Sequence, residues 1–126
     1  MNDKAKRDEE AEIIFEMGIA FIQHMIDTAS GWEKAYFRIQ IDENHSSSTG
    51  IYIVGSEVEF IELPYSFAHG MEKKATRLAE VFGKDEMVML LFVKSNYGAE
   101  AFFDYEDMDK WEISKLDGRT GIPEGF

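Results

Sequence analysis

The sequence has no cysteine, only two prolines, and about half as many basic as acidic residues. Without cysteine there is no disulfide framework, no thiolate zinc site and no cysteine nucleophile, which permits a reducing compartment. Thirteen Lys and Arg against 25 Asp and Glu give a net charge of −12. Nucleic acid and anionic membranes are therefore disfavoured as direct ligands, and a basic protein is favoured. The same acidity also keeps a soluble protein dispersed, which by itself requires no partner.

The sequence also lacks an apolar run long enough to span a membrane, and no small-residue cleavage signal follows its mixed-charge first ten residues. We therefore expect a cytoplasmic protein that stays where it is synthesised. The 126 residues, 44% apolar and 13% aromatic, are enough for one domain with a full core and too few for two. We predict a single domain over residues 1–126.

An unbroken apolar run over residues 87–93 is the centre of the predicted fold. Its short length favours a strand over a helix, and its continuity predicts that both faces are covered. Residues 94–98 have turn chemistry, and residues 99–105 alternate in polarity, so they predict the second strand of a hairpin. One face of that strand carries alanines and aromatics and is expected to be buried. The other face, which carries Glu100, Phe102 and Asp104, is expected to be partly wet.

Two segments have helical periodicity, one over residues 5–28 and one from an N-cap at Ser66 to Gly83. The first predicted helix has a second apolar line beside its core line, formed by Phe15, Ile19, Ile22 and Ile26. This apolar arc is wider than one sheet face normally covers. Either the C-terminal tail covers the remainder, or a subunit or partner does.

Three further strands are predicted between the helices, over residues 32–41, 51–54 and 58–63, with Pro64 ending the third. Residues 42–50 are predicted to be a polar connector. Because every strand connection is of hairpin length, we predict an α+β fold with one antiparallel five-stranded sheet and two helices on one face. The predicted order is α-β-β-β-α-β-β. An irregular C-terminal tail follows, attached to the body by Trp111, Ile113, Leu116 and Ile122.

The polar connector suggests two kinds of site, and both are weakly supported. As a calcium loop it lacks the central glycine, and Ile53 stands where a bidentate glutamate belongs. As a Ser/His site, its serines and His45 have no preorganised geometry. The acids from Asp104 to Asp109 could bind a divalent cation or act as paired carboxylates, but no histidine or glycine-rich phosphate loop accompanies them. We predict no catalytic residue, no metal and no cofactor.

Acidic residues form two clusters in which no lysine or arginine is interspersed. The first comprises Asp42, Glu43, Glu57, Glu59, Glu62 and Glu72, and the second comprises Glu100, Asp104, Glu106, Asp107 and Asp109. If the two clusters meet on one side of the sheet, they would attract a basic protein and mimic nucleic-acid phosphates. Nearby aromatics such as Phe60, Phe102, Tyr105 and Trp111 could anchor that interface. The alternative is that the acids only protect strand edges from aggregation.

Several short motifs spread over the chain resemble a known family. They are Trp32-Glu33-Lys34-Ala35-Tyr36 after a long helix, Phe103-Asp104-Tyr105-Glu106-Asp107 in the last strand, Trp111-Glu112, and Gly121-Ile122-Pro123-Glu124 near the end. In these features the chain resembles the YezG-like family of bacterial antitoxin or immunity proteins. The resemblance implies a non-enzymatic cytoplasmic protein that neutralises a cognate secreted toxin domain, frequently a nuclease. In this chain the segment between the last strand and Trp111 is shorter than the family pattern, which has room there for a further helix.

Charge and resemblance together define a candidate toxin-binding set. We expect charge from Asp104, Glu106, Asp107 and Asp109, contact from Tyr105 and Trp111, and a second charged patch from Glu57, Glu59 and Glu62. Two alternatives from other classes stay open at this point. One is a small ligand-binding or regulatory domain that forms a homodimer through its first helix, and the other is a carboxylate-dependent hydrolase.

Overall fold

A computed structural model describes residues 2–126 and places five strands in one antiparallel sheet. In chain order the elements are α1 (Asp3–Thr28), β1 (Lys34–Ile41), β2 (Ser46–Val54), β3 (Glu57–Phe60), α2 (Tyr65–Phe82), β4 (Met87–Lys94), β5 (Ala99–Asp104) and a short 3-10 turn, η1 (Leu116–Gly118). Across the sheet the strand order is β3-β2-β1-β4-β5. The predicted α+β fold and its element order are confirmed.

Strand β4 is buried on both faces up to its last residue, as its continuous apolar sequence predicts. It pairs with β1 on one side and with β5 on the other. Leu91, for example, lies opposite Phe37 of β1 and opposite Ala101 of β5. Both neighbours are antiparallel, because a hairpin turn joins β4 to β5 and the chain returns from α2 in the opposite direction to β1.

Both helices lie on one face of the sheet, with α2 over β1 and β2 and α1 over β4 and β5. The core on this face is built from the apolar lines of the helices and from alternate strand residues, including Phe21, Met25, Phe37 and Met71. At the helix–helix boundary Arg77 of α2 donates two hydrogen bonds to the Glu9 carboxylate of α1, at 2.6 and 2.9 Å. This pair fixes the relative position of two helices whose main stabilisation comes from apolar burial.

The C-terminal tail covers the opposite face of the sheet. Ile113 is buried there, and half-buried Trp111 and Ile122 pack in the same cluster with Tyr36 and Leu90. Leu116, also predicted to attach the tail, lies on η1 and is 74% exposed, so it does not anchor the tail. Of the two alternatives for the spare apolar surface of α1, cover by the tail is ruled out, since the tail fills the sheet face that no helix reaches.

Several predicted element boundaries also differ from the structure, and three of them have a clear physical reason or a large shift. The expected connector before residue 51 is largely strand, since β2 begins at Ser46. The Ser46 and Ser48 hydroxyls donate hydrogen bonds to the Glu72 carboxylate of α2, and this tertiary contact stabilises a segment with a loop-like composition. Helix α2 begins at Tyr65 with Pro64 in the N-cap position, whose fixed φ suits a helix start. Strand β3 ends at Phe60 rather than at residue 63.

Within residues 2–126, neither helix combines the length and the apolarity that a membrane crossing requires.

Candidate functional site

The acidic segment that follows β5 is held in a defined turn by Asp104. One carboxylate oxygen of Asp104 accepts hydrogen bonds from the backbone N–H groups of Glu106 and Asp107, at 3.0 and 2.9 Å. The other oxygen lies 3.2 Å from Nζ of Lys110. The two backbone N–H groups, with Lys110 as a smaller contribution, lower the pKa of Asp104 to about 2. Asp104 therefore shapes the acidic segment and is itself mostly covered, with 21% of its side chain exposed.

Arg38 holds the same segment from the sheet side. It projects from β1 onto the tail face and donates hydrogen bonds from Nε to the Lys110 carbonyl (2.8 Å) and from Nη2 to the Met108 carbonyl (2.6 Å). Burial lowers the pKa of Arg38, and three nearby carboxylates oppose this shift, those of Glu112, Asp109 and Asp107. The guanidinium thus combines a geometric anchor for the turn with a positive charge beneath the surrounding acids.

Two open concavities flank this turn. One, of about 880 Å³, is lined by the acidic residues Asp107, Asp109, Glu112 and Glu124, together with Trp111, Lys110 and Arg119. The other, of about 540 Å³, is lined by the acidic residues Glu43, Asp85, Glu86, Asp104 and Glu106, together with Tyr105 and Lys84. The two concavities adjoin because Glu106 and Asp107 are consecutive residues. We call the combined surface, defined by these nine acidic residues, the β5-end surface.

The predicted residues near β5 have different roles in this surface. Glu106, Asp107 and Asp109 are exposed, whereas Asp104 is engaged inside the turn. One oxygen of the exposed Asp107 carboxylate also accepts a hydrogen bond from the backbone N–H of Asp109, at 3.0 Å. Tyr105 is half-buried on the helix face, where its ring packs edge-on against Phe82 at 5.9 Å. Burial, and to a smaller extent the charge of Glu10, raises the pKa of Tyr105.

Trp111 is a half-buried aromatic at the edge of the larger concavity. It packs against Phe102 of β5 with ring centroids 6.2 Å apart, and it adopts a left-handed backbone conformation with φ of 57°. Nζ of Lys110 lies 5.2 Å from the centre of the indole ring. The indole is therefore a fixed aromatic surface beside the acidic concavity, and one cation, the Lys110 ammonium group, already lies against it.

The second predicted patch lies elsewhere. Glu57 and Glu59 are on β3, the strand at the opposite edge of the sheet from β5. Four strand spacings separate the two edges, which is about 19 Å. Glu62 follows β3 on the same side, and its carbonyl hydrogen-bonds to Nε2 of His24 at 2.8 Å. The two predicted acidic clusters thus form separate surfaces, and from the first cluster only Glu43 lines a concavity beside β5.

Several residues in or beneath the β5-end surface were not in the predicted toxin-binding set. They are Arg38, Glu43, Asp85, Glu86, Glu112 and Glu124. Arg38 has one sequence signal, since it is a permanent charge in the middle of an otherwise well-patterned strand. Glu43 belongs to the first acidic cluster that the sequence shows, but its place beside β5, like that of Glu124, is decided only by the sheet topology and the course of the tail.

The residues of the other candidate sites, the Ser/His site and the metal sites, are arranged differently from what those sites require. Nδ1 of His45 lies 3.1 Å from the Asp42 carboxylate, whereas the nearby serines Ser46 and Ser48 donate to Glu72. The Ser/His pairing that the sequence disfavoured is therefore absent from these contacts. Asp42 accepts hydrogen bonds from the backbone N–H groups of Asn44 and His45, which makes it a turn residue. Across residues 2–126, no group of three or more metal-ligating side chains is placed to hold a metal ion.

Comparison with known proteins adds no family assignment. No protein-family model matches the chain, and no curated protein matches it in sequence.

Proposed function

We propose that this protein is a cytoplasmic immunity protein (antitoxin) that binds a basic toxin domain through the β5-end surface and blocks it without catalysis. The proposal is supported by the net charge of −12, by the nine acidic residues around the two concavities, and by the sequence resemblance to YezG-like immunity proteins. A nuclease is the favoured target, because a cleft that binds phosphates presents the opposite charge.

The observation that carries the proposal is the rigid display of the acidic turn. Asp104 fixes the turn through two backbone hydrogen bonds, and Arg38 fixes two of its carbonyls. Exposed carboxylates on a mobile loop would lose conformational freedom on binding, and each ordered side chain costs free energy. Here Asp107 and Asp109 project from a backbone that is already ordered, so this cost is reduced.

The arrangement supports both fast association and a defined contact. A concentration of one charge around concave surfaces raises the encounter rate with a basic protein, and salt reduces this effect. Trp111 offers the kind of fixed aromatic that anchors protein interfaces. Binding here would cover a basic cleft sterically and neutralise its field.

The proposal is tested with the toxin domain encoded beside this gene, when that neighbour is a secreted protein ending in a basic domain. Co-expression should protect cells from the toxin, and the two proteins should co-purify. Asp107→Lys with Asp109→Lys should lower the association rate about tenfold or more at low salt.

The matched control is Glu57→Lys with Glu59→Lys, which makes the same change of charge at the opposite edge of the sheet. This control should retain most of the association rate, although the smaller net charge will slow it slightly. Equal effects of the two double variants would reject the β5-end surface, and a wild-type protein that neither binds nor protects would reject the immunity function.

A further inference from the structure

One flank of α1 carries large apolar side chains that nothing in the described chain covers. Phe15, Ile19 and Ile26 are 68%, 52% and 47% exposed, and Ile22 is half-buried in the same line. At 100° per residue these four positions fall within one narrow sector of the helix. The acids of this part of α1 lie outside that sector, and Glu16 among them is 3.6 Å from Lys74 of α2. The apolar flank is therefore turned away from α2.

The same side of the molecule has an unpaired strand edge. Strand β5 is the last strand of the sheet and pairs only with β4. Among residues 2–126, no backbone group outside the sheet forms a hydrogen bond with a backbone group of β5. The other edge is partly protected, because the Lys115 ammonium group contacts the Val58 carbonyl of β3. An open edge beside an exposed apolar helix is a surface that a second strand and a second helix would complete.

The spacing of the layers fits a second copy of this chain. Helix α1 lies over β4 and β5. Projected onto the sheet, its axis therefore runs between these two strands, about half a strand spacing from β5 on the β4 side. If two β5 strands paired across a two-fold axis at about 4.8 Å, the two α1 axes would lie about 10 Å apart. Packed helices have axes 8 to 10 Å apart. One symmetry operation therefore continues the sheet and places the two α1 helices side by side.

Charge selects the register of this pairing. A two-fold axis normal to the sheet must pass through one residue of β5, because paired antiparallel residues share a face. An axis at Phe102 would place Glu100 opposite Asp104 of the second copy, and an axis at Glu100 would place two glutamates opposite each other. An axis at Ala101 places Glu100 opposite Phe102 and avoids like-charge pairs. Because Ala101 lies near the middle of β5, this register also pairs nearly the whole strand with that of the second copy.

The position of Ala101 identifies the helix residue nearest to the axis. Gly18 packs on Ala99, since a Cβ built on Gly18 would lie 3.7 Å from the alanine Cβ. Farther along, Glu10 lies close enough to Tyr105 for the glutamate charge to contribute to the raised pKa of the tyrosine, after the larger effect of burial. Helix α1 thus runs antiparallel to β5, and interpolation places Ala101 beneath Phe15, the most exposed large apolar residue of α1.

From these observations we propose that two copies of this chain form an isologous dimer by pairing β5 strands around Ala101, with Phe15 of each α1 helix packed against its equivalent. The paired region is roughly 20 Å long and roughly 20 Å deep, so the total buried surface is on the order of 1,000 Å². Interfaces of that size are reversible. The net charge of −12 on each copy opposes association, so salt strengthens this dimer.

The first test measures the mass in solution by sedimentation at concentrations up to about 1 mM, at low and at high salt. The wild type should show a reversible monomer–dimer equilibrium with a lower Kd at high salt. Phe15→Glu should raise the Kd about tenfold or more, because the axis would bring two charges together. The matched control is Ile26→Glu on the same helix. Residue 26 is about 16 Å farther along the helix than residue 15, so this control should change the Kd much less.

The second test uses the absence of native cysteine. In Ala101→Cys, residues facing each other across the axis would have Cα atoms about 4.5 to 5.5 Å apart, which suits a disulfide. Mild oxidation should therefore give a covalent dimer, whereas Leu116→Cys, at an exposed site on the tail face, should not.

A monomeric wild type at every concentration and salt level would overturn the dimer, and so would equal cross-linking of the two cysteine variants. If Ala101→Cys fails to fold, the comparison of Phe15→Glu with Ile26→Glu still decides. Toxin binding weakens with salt and depends on Asp107 and Asp109, so the dimer and the proposed function fail independently.

Discussion

The two faces of the sheet are covered in different ways. On one face two regular helices bury apolar lines whose spacing repeats every three to four residues. On the other face the irregular residues 105–126 are attached through a few apolar anchors and through the hydrogen bonds of Arg38. The helices are stabilised by many equivalent apolar contacts, whereas the attachment of residues 105–126 depends on a few positions. The face with the irregular cover is also the one that carries the larger acidic concavity.

The difference shows how an acidic surface can be built on a stable scaffold. A helix exposing as many carboxylates along one face would suffer repulsion between residues three and four apart. The tail is not restricted to that regular spacing, because its backbone turns after Asp104 and again at Trp111, where φ is positive. As a consequence, the attachment of the tail to the sheet depends on a small number of anchor residues.

The largest expected effect comes from deleting one buried side chain on each face. Phe37 is fully buried on the helix face, and its ring lies 5.4 Å from that of Phe21. Phe37→Ala should cost about 3–5 kcal/mol of unfolding free energy, while Ile113→Ala on the tail face should cost about 2 kcal/mol, the low end for its type. Urea unfolding followed by circular dichroism measures both. A greater loss for Ile113→Ala would show that the tail is an integral part of the core.

An intermediate effect is expected from Arg38→Met, which preserves side-chain length and removes the donors. The carbonyls of Met108 and Lys110 would lose their partners, at a cost of about 1–2 kcal/mol. The change should loosen residues 105–112 selectively, so their backbone amides should exchange hydrogen faster while those of α2 remain protected. Arg77→Met, which removes a surface pair on the helix face, is the matched control. Uniformly faster exchange would contradict a local role for Arg38.

The smallest expected effect is the pH dependence of the stability that Asp104 gives to the turn on the tail side of the sheet. The pKa of Asp104 is depressed to about 2, so its ionised form stabilises the folded state. That contribution is fully present above the ordinary aspartate pKa of about 4 and is lost as the pH falls through about 2. The Tm difference between wild type and Asp104→Ala should therefore be constant near neutral pH and shrink between about pH 4 and pH 2. The matched control is Glu100→Ala, which removes an exposed acid from the same strand that accepts neither of these backbone hydrogen bonds. A Tm difference that does not change with pH would mean that the hydrogen bonds of Asp104 do not require its negative charge.

Much of the fold could be predicted because its signals are local. The continuous apolar run of β4, the alternation in β1 and the helical period of α2 each depend on neighbours a few residues away. Errors arose where distant contacts decide. Ser46 and Ser48 join β2 because Glu72 accepts their hydrogen bonds, and no neighbouring residue indicates that partner.

The candidate site was predicted only in part for the same reason. The acids from Glu106 to Asp109 are adjacent in sequence, so their clustering was visible. The separation of Glu57 and Glu59 from them depends on β3 and β5 occupying opposite edges, which strand order alone decides.

By itself, the sequence determined the identity of the helices and strands, the surplus of negative charge and the excess apolar surface on α1, because composition and short-range periodicity encode them. The tertiary structure decided which face the tail covers, which acids share a surface and which edge of the sheet stays open. Those outcomes depend on the order in which strands pair, and pairing joins residues that are far apart in the chain.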